Sequence, residues 1–188
     1  MGSATPVVLL CPGFHPPHLT QGFLQGLTAI ASLDCSSWLI LPSPIAPVSA
    51  PEIATYLATV VEINLTPVIF IGYSAGAVGA IAAAQLWQQQ GGTVRALLAI
   101  DGWGVPLIGN FPSHRLSHDP FTHWSSALLG PGADSFYAEP GVSHWDLFQF
   151  PDLASGWWIK GPGCRIACTA AQFLATHLSH YLAEGNST

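Results

Sequence analysis

Short apolar runs alternate along the chain with segments whose apolar residues recur at helical spacing. Four of these runs predict strands, at residues 7–11, 38–41, 67–71 and 94–100. The runs at 67–71 and 94–100 are apolar on both faces, which is typical of buried strands in a parallel sheet. Helical spacing follows at residues 19–33 and again after Ser49, where Ser49 and Glu52 have the spacing of a capping box. The alternation predicts an α/β fold with a mostly parallel central sheet flanked by helices.

The second half of the chain has a weaker pattern. The helix after residue 74 is apolar nearly all round until Trp87, so we expect it to be buried. Beyond it, Pro, His and Trp interrupt the periodicity, and we expect only short elements: a strand at 114–117, a helix at 121–129 and a strand at 135–138. An apolar stripe predicts a final helix over residues 165–182.

Composition narrows the class of protein. The 188 residues suit one domain, spanning residues 1–188. Only 4 residues are basic against 10 acidic, and the net charge is −6, so nucleic acid is not an expected partner. The apolar runs are shorter than the roughly 20 residues that cross a bilayer, and no signal-peptide pattern begins the chain. We therefore expect a cytoplasmic protein with no transmembrane segment.

The chemistry-bearing pattern is Gly72-Tyr73-Ser74-Ala75-Gly76, a Gly-x-Ser-x-Gly sequence. Such a turn between a strand and a helix lifts a serine hydroxyl above the sheet, and the serine backbone is strained there. Side chains two residues before or after the serine would collide with neighbouring backbone, so glycine is required. The spacing alone is weak in a chain with 19 glycines. Its position between the most buried strand and the most buried helix predicts that Ser74 is a nucleophile.

At these residues the chain resembles the α/β-hydrolase superfamily, especially small cap-less members such as minimal bacterial lipases and cutinases. The resemblance covers nearly the whole chain and implies a compact α/β-hydrolase fold. Its order of nucleophile, acid and histidine implies a histidine downstream of Ser74. His144 follows a strand-like run and the turn around Gly141, which looks like the loop carrying the family's base. We expect His144 to take the proton from Ser74.

Two aspartates compete for the role of triad acid. Asp119 ends the weak strand and precedes His144 by a spacing that resembles the minimal lipases. Asp101 ends the clear strand at 94–100, and the family occasionally takes its acid from that position. We favour Asp119 and keep Asp101 as the alternative. Asp146 is expected to be a surface or capping carboxylate.

The resemblance also implies an oxyanion hole and a substrate pocket. Backbone N–H groups of Phe14 and Ala75 are the expected oxyanion donors. Residues expected to line the substrate site are His15, Tyr73, Trp103 and Trp145. Tryptophans on these loops fit an apolar acyl or lipid pocket, with peripheral lipid contact as an added expectation; they equally fit a role in covering the core.

The spacing of some histidines and cysteines would be compatible with a metal site. His114, His118 and His123 have spacings of four and five, and Cys164 with Cys168 would lie one helical turn apart. We expect no metal and no cofactor: the histidines would hydrogen-bond the acid loop or line the cleft, and the cysteines would be inert thiols.

Two functions follow from these residues. The first is a serine hydrolase that cleaves a carboxylic ester or thioester of a small-molecule acyl substrate, through a Ser-His-Asp triad and an acyl-enzyme. The second is a catalytically silent hydrolase-fold protein that binds a lipid, pigment or protein partner.

Overall fold

A computed structural model describes residues 4–31 and 33–183 of the chain. Its strands and helices follow in the order β1 (Val7–Cys11), α1 (Pro17–Ala31), β2 (Leu39–Ile40), α2 (Ala50–Val60), β3 (Val68–Tyr73), α3 (Ala75–Gln89), β4 (Val94–Ile100), β5 (Ser113–Ser117), α4 (Pro120–Ala127), β6 (Asp134–Ala138), α5 (His144–Gln149), β7 (Ser155–Gly161), β8 (Cys164–Thr169) and α6 (Ala170–Ala183).

The eight strands form one sheet in the spatial order β2-β1-β3-β4-β5-β6-β7-β8. Neighbouring strands from β2 to β6 are parallel, whereas β7 and β8 run antiparallel to their neighbours. Parallel strands end at the same edge of a sheet, so the loops after β3, β4 and β5 leave side by side. This confirms the predicted mostly parallel sheet and places the loops that carry Ser74, Asp101 and His118 at its carboxyl edge.

Helices cover both faces of the sheet. On one face, side chains of α1 and α6 such as Phe23 and Phe173 join Ile69 and Ile71 of β3 in one core cluster. On the other face, small residues of α3 and apolar residues of α2 form a second cluster that includes Phe70. Strand β3 is therefore buried on both faces, as its apolar sequence predicts. None of the helices in the described residues has the length and hydropathy needed to span a bilayer.

Helix α2 lacks the capping box predicted at its start. Ser49 is the N-cap residue, but its side chain makes no capping hydrogen bond. The Glu52 carboxylate instead accepts from the backbone N–H of Ala46, at 3.3 Å. Reciprocal capping occurs at α6, where Thr169 Oγ1 accepts from the N–H of Gln172 and Gln172 Oε1 accepts from the N–H of Thr169.

The predicted helix over residues 165–182 is wrong in its first third. Residues Cys164–Thr169 form β8, which pairs with β7, and the helix begins only at Ala170. Cys164 and Cys168 therefore lie on a strand, as free thiols. The Gly-Pro-Gly turn at 161–163 and the Thr-x-x-Gln capping pattern at 169–172 were the sequence signals for a hairpin followed by a later helix start.

Candidate active site

Ser74 occupies a sharp turn between β3 and α3. Its backbone has φ 53° and ψ −121°, a conformation that residues other than glycine rarely adopt. The N–H of Ser74 donates to the carbonyl of Ile100 at the end of β4, at 2.8 Å, which fixes the turn against the neighbouring strand. Such strain persists only where the surrounding structure imposes it, and it is characteristic of functional sites.

The two glycines of the motif are required because neighbouring backbone atoms lie where a side chain would begin. A Cβ at Gly76 would lie 2.0 Å from the carbonyl oxygen of Cys11, and one at Gly72 would lie 2.6 Å from Cα of Ala77. Neither neighbour is a flexible side chain that could move aside. The turn around Ser74 therefore depends on both glycines, as predicted from the pattern.

Asp101 follows β4 directly and points at His144. Its Oδ2 accepts from Nδ1 of His144 at 2.8 Å, and its side chain is only 1% exposed. Burial acts to raise the pKa of Asp101, but hydrogen bonds from His118 and His144 outweigh burial and hold that pKa below its ordinary value. The carboxylate is thus held in its charged form beside His144.

The preference for Asp119 as the partner of His144 needs correction, because Asp101 makes that contact in the structure. Asp119 is the N-cap of α4, where its Oδ1 accepts from the N–H of Thr122 at 2.6 Å. An aspartate followed by proline is a typical helix start, since the carboxylate satisfies a free N–H and proline fits the first turn. That local signal in Asp119-Pro120 was readable in the sequence.

His144 is the first residue of α5 and is held from two sides. Ser143 caps this short helix by accepting from the N–H of Asp146 at 3.0 Å. Tyr73 donates its hydroxyl to the carbonyl of His144 at 2.9 Å, and the two rings stack with centroids 4.8 Å apart. Tyr73 is 0% exposed, so its predicted place in the substrate pocket is wrong: it lies behind His144 and fixes its position.

His118, the first residue after β5, also contacts Asp101. Its backbone N–H donates to Oδ1 at 2.9 Å, and its Nδ1 donates to Oδ2 at 2.8 Å. Its Nε2 lies 3.4 Å from Oδ2 of Asp119. The hydrogen bond to Asp101 raises the pKa of His118, with burial opposing it and the charges of both aspartates adding to it.

The loop after β1 lies against the Ser74 turn. A Cβ at Gly13 would come within 3.1 Å of Cβ of Ser74 and 3.3 Å of the backbone nitrogen of Ala75. Phe14 is the next residue, so both predicted oxyanion donors, Phe14 and Ala75, come from segments that meet beside Ser74. That role for the two N–H groups stays a prediction.

Ser74, Asp101, His118 and His144 line one cavity of about 450 Å³. Its other walls come from Ala75, Val78, Trp103, Phe121 and Thr122. Trp103 lines the same cavity as Ser74, and its role in binding substrate stays a prediction. Trp145 packs edge-on against His144 with ring centroids 5.3 Å apart. His15 lines a second cavity, of about 740 Å³, on the other side of the loop after β1. The arrangement brings a strained serine, a histidine and a buried carboxylate to one opening.

Comparison with known proteins bears on the fold. YbtT, a type II thioesterase from the yersiniabactin NRPS/PKS biosynthetic pathway, matches with a TM-score of 0.58 and 13% identity, covering 100% of this chain and 96% of that one. The protein has an α/β-hydrolase-like fold. A YdeN-like hydrolase from Pectobacterium atrosepticum also matches, with a TM-score of 0.45 and 16% identity over 66% of this chain and 72% of that one. No family model matches the chain, and neither does any curated protein.

Two groups within the described part of this hydrolase fold bring three potential metal ligands together: Asp101 with His118 and His144, and His114 with Asp134 and His177. In the first group, Nδ1 of both imidazoles already donates to the carboxylate. In the second, His114 and His177 stack with centroids 3.8 Å apart at 26°. A metal bond lies in the plane of each imidazole, so nearly parallel stacked rings direct their nitrogens to different points. Both groups fit hydrogen-bonded networks better than an ion.

The three histidines considered together in the sequence are separated by the hydrolase fold. His114 contacts Asp134 and Tyr181 beneath α6, away from the carboxyl edge. His123 is buried in α4 against the ring of Tyr137. Of the three, only the His118 side chain hydrogen-bonds Asp101 and lines the cavity with Ser74. The prediction that these histidines hydrogen-bond the acid loop or line the cleft therefore holds for one of the three.

Proposed function

We propose that the protein is a serine hydrolase that cleaves carboxylic esters or thioesters through an acyl-enzyme on Ser74. The observation that carries this proposal is the strained backbone of Ser74 at a cavity that also holds the Asp101–His144 pair. A nucleophile, a base and a group that orients the base are the parts that acyl transfer requires.

In the proposed reaction, Oγ of Ser74 attacks the acyl carbonyl while Nε2 of His144 accepts its proton. Asp101 holds Nδ1–H of His144 and stabilises the imidazolium that forms. The N–H groups of Ala75 and Phe14 donate to the oxyanion, and α3 directs its positive end at the same point. His144 then protonates the leaving alcohol or thiol. Water, activated by the same histidine, cleaves the acyl-enzyme and restores Ser74.

The larger cavity supports an apolar acyl substrate. It begins at Gly13 and Phe14, beside Ser74, and extends between α1 and the proline-rich loop after β2. Leu24, Ile40 and Ile45 contribute apolar walls, and none of the residues lining it is Asp, Glu, Lys or Arg. Its volume of about 740 Å³ lies in the range typical of small-molecule sites. An uncharged chain attached to the scissile carbonyl would be received there without burying a charge.

Turnover of a short ester and of a short acyl thioester tests the reaction. The wild type should hydrolyse at least one, and Ser74→Ala should lose at least 10³-fold in kcat, an order of magnitude set by the removal of a triad nucleophile. Equal turnover by Ser74→Ala would refute the proposal. A co-purified ligand that is bound but not hydrolysed would instead favour the silent binding protein.

Acyl chain length tests the apolar cavity. Because a buried methylene contributes about 0.8 kcal/mol, kcat/KM should rise by up to about fourfold per methylene until the cavity is filled. Ile40→Trp, at a half-exposed wall position, should abolish this rise while leaving short esters as substrates. Ile166→Trp on β8 is the matched control, since Ile166 is also exposed and does not line the cavity. A flat chain-length series would refute the proposed acyl site.

A further inference from the structure

The Asp101 carboxylate is shared by two imidazoles. Its Oδ2 accepts from Nδ1 of His144 and from Nδ1 of His118, both at 2.8 Å, and the two rings are nearly perpendicular with centroids 6.1 Å apart. Its other oxygen accepts from the backbone N–H of His118. Two of the three hydrogen bonds on this buried carboxylate therefore come from a single residue outside the proposed triad.

The two histidines differ in what their second ring nitrogen faces. Nε2 of His118 lies 3.4 Å from Oδ2 of Asp119, so both of its nitrogens face carboxylate oxygens. Two carboxylates this close to one ring favour a proton on both ring nitrogens, which is the imidazolium form. His144 has no second carboxylate among the described residues, and it shares the cavity with Ser74. This contrast is why His144, rather than His118, is placed as the base.

We propose that His118 is a positioning residue which, held as a cation between Asp101 and Asp119, fixes the Asp101 carboxylate and thereby extends activity to lower pH. This inference rests on the proposed hydrolase function. The structure supports it further, because contact with Asp101 raises the pKa of His118. A cation that shares the carboxylate opposes the uptake of a further proton by this group of residues. The acid limb of the pH profile, where activity falls as pH is lowered, should therefore lie at lower pH than it would without His118.

Four other titratable or charged side chains lie near this pair of histidines, and their charge states bear on the proposal. The Tyr73 ring stacks on His144 and also contacts the ring of His15. Burial lowers the pKa of His15 and raises that of Tyr73, so both are neutral near pH 7. On α4, burial lowers the pKa of His123 to about 4, which leaves it neutral as well. Arg115 on β5 is a permanent cation that donates to the carbonyls of Gly102 and Val105. Tyr73 and Arg115 therefore keep the same charge across the acid range, and His123 does so down to about pH 4.

His118→Asn separates charge from hydrogen bonding. The asparagine amide can donate from a position close to that of Nδ1. The hydrogen bond to Asp101 is therefore kept while the positive charge is lost. The midpoint of the acid limb of kcat/KM should rise by roughly 0.5 to 2 pH units, the span given by a unit charge 6.1 Å away at effective dielectric constants of about 80 and 20. His18→Asn, at an exposed histidine of α1, is the control and should leave the midpoint in place.

Asp119→Asn provides a second variant that should fold, because asparagine also caps a helix start. Removing this carboxylate should lower the pH at which the His118 ring titrates in an NMR experiment, a readout that needs no activity. If His118→Asn folds poorly, this NMR titration decides the matter by itself.

The outcomes separate the two proposals. If Ser74→Ala matches the wild type, the hydrolase function fails, whatever His118 does. If activity depends on Ser74 but the acid limb of His118→Asn coincides with that of the wild type, His118 is only structural and the inference is overturned. The inference would also be overturned if NMR shows that the His118 ring of the wild type titrates at or below the pH range of an ordinary histidine.

Discussion

Replacing Asp101 by asparagine separates the two candidate acids most sharply. The side chains have the same shape, but an amide cannot carry the charge that faces Nδ1 of His144 at 2.8 Å. An amide NH2 turned toward His144 would force Nδ1 to accept, which leaves the proton on Nε2. In that tautomer His144 cannot take a proton from Ser74.

The expected loss can be estimated from this contact. A hydrogen bond to a charged group contributes about 1.5–3 kcal/mol, and the wrong tautomer adds a comparable cost before His144 can act as a base. A total of about 4 to 5 kcal/mol corresponds to a loss of roughly 10³ to 10⁴ in kcat at 1.36 kcal/mol per tenfold. The tautomer effect depends on geometry that Asp119 does not have, since Asp119 faces His118 and the start of α4.

The assay is steady-state hydrolysis of a short ester at pH 8, above the acid limb, for Asp101→Asn and for Asp119→Asn. Asp101→Asn should lose at least 10³-fold in kcat, whereas Asp119→Asn should lose less than about tenfold. Circular dichroism of both variants checks that the fold is intact. A larger loss in Asp119→Asn than in Asp101→Asn would refute Asp101 as the orienting acid.

Three further substitutions test the supports of the site. Gly76→Ala places a methyl group 2.0 Å from the carbonyl of Cys11 and should lower the free energy of unfolding by about 3 kcal/mol or more, measured by urea denaturation. Tyr73→Phe removes the hydroxyl that donates to His144 and should cost about 1 kcal/mol of stability and reduce kcat several-fold. His123→Phe removes a base whose pKa is lowered to about 4 by burial, with the charge of Arg115 adding to the effect. As pH falls from about 6.5 to 4, the wild type should lose up to about 3 kcal/mol more than this variant, because only the unfolded chain is protonated there.

Each of these has a result that would contradict it. Gly104→Ala is the control for Gly76→Ala, because its methyl group meets no atom within 4 Å and only its positive φ is strained; equal losses in both would exclude the close approach at Gly76. An unchanged kcat in Tyr73→Phe would show that the hydroxyl does not hold His144. Parallel pH dependences of unfolding for His123→Phe and the wild type would show that His123 is protonated freely in the fold.

The sheet and the turn that carries Ser74 could be predicted because their signals are local. The strand before Ser74 is apolar on both faces, and the glycines beside the serine are required by contacts within two turns of the chain and with β1. The strand at β8 was missed because an exposed edge strand has little apolar pattern of its own. This strand is defined by its hydrogen-bonded pairing with β7. The apolar stripe that predicts α6 contains no information about β7.

The choice between the aspartates depended on geometry that spacing does not encode. Ser74, Asp101 and His118 are each the first residue after one of three adjacent parallel strands, β3, β4 and β5, so they meet at one edge. Counting residues from Asp119 to His144 says nothing about which carboxylate lies under the imidazole. The position of Asp101 directly after the strand next to β3 is the stronger criterion. The contact between His118 and Asp101 is visible only in the structure.

The most direct test of the central claim is covalent labelling of Ser74. A fluorophosphonate probe should add one equivalent to the folded wild type, and peptide mass spectrometry should locate the adduct on Ser74. Labelling should be lost in Ser74→Ala and slowed in Asp101→Asn, in step with its loss of kcat. An adduct on any other residue, or no adduct on a wild type that hydrolyses esters, would contradict Ser74 as the nucleophile.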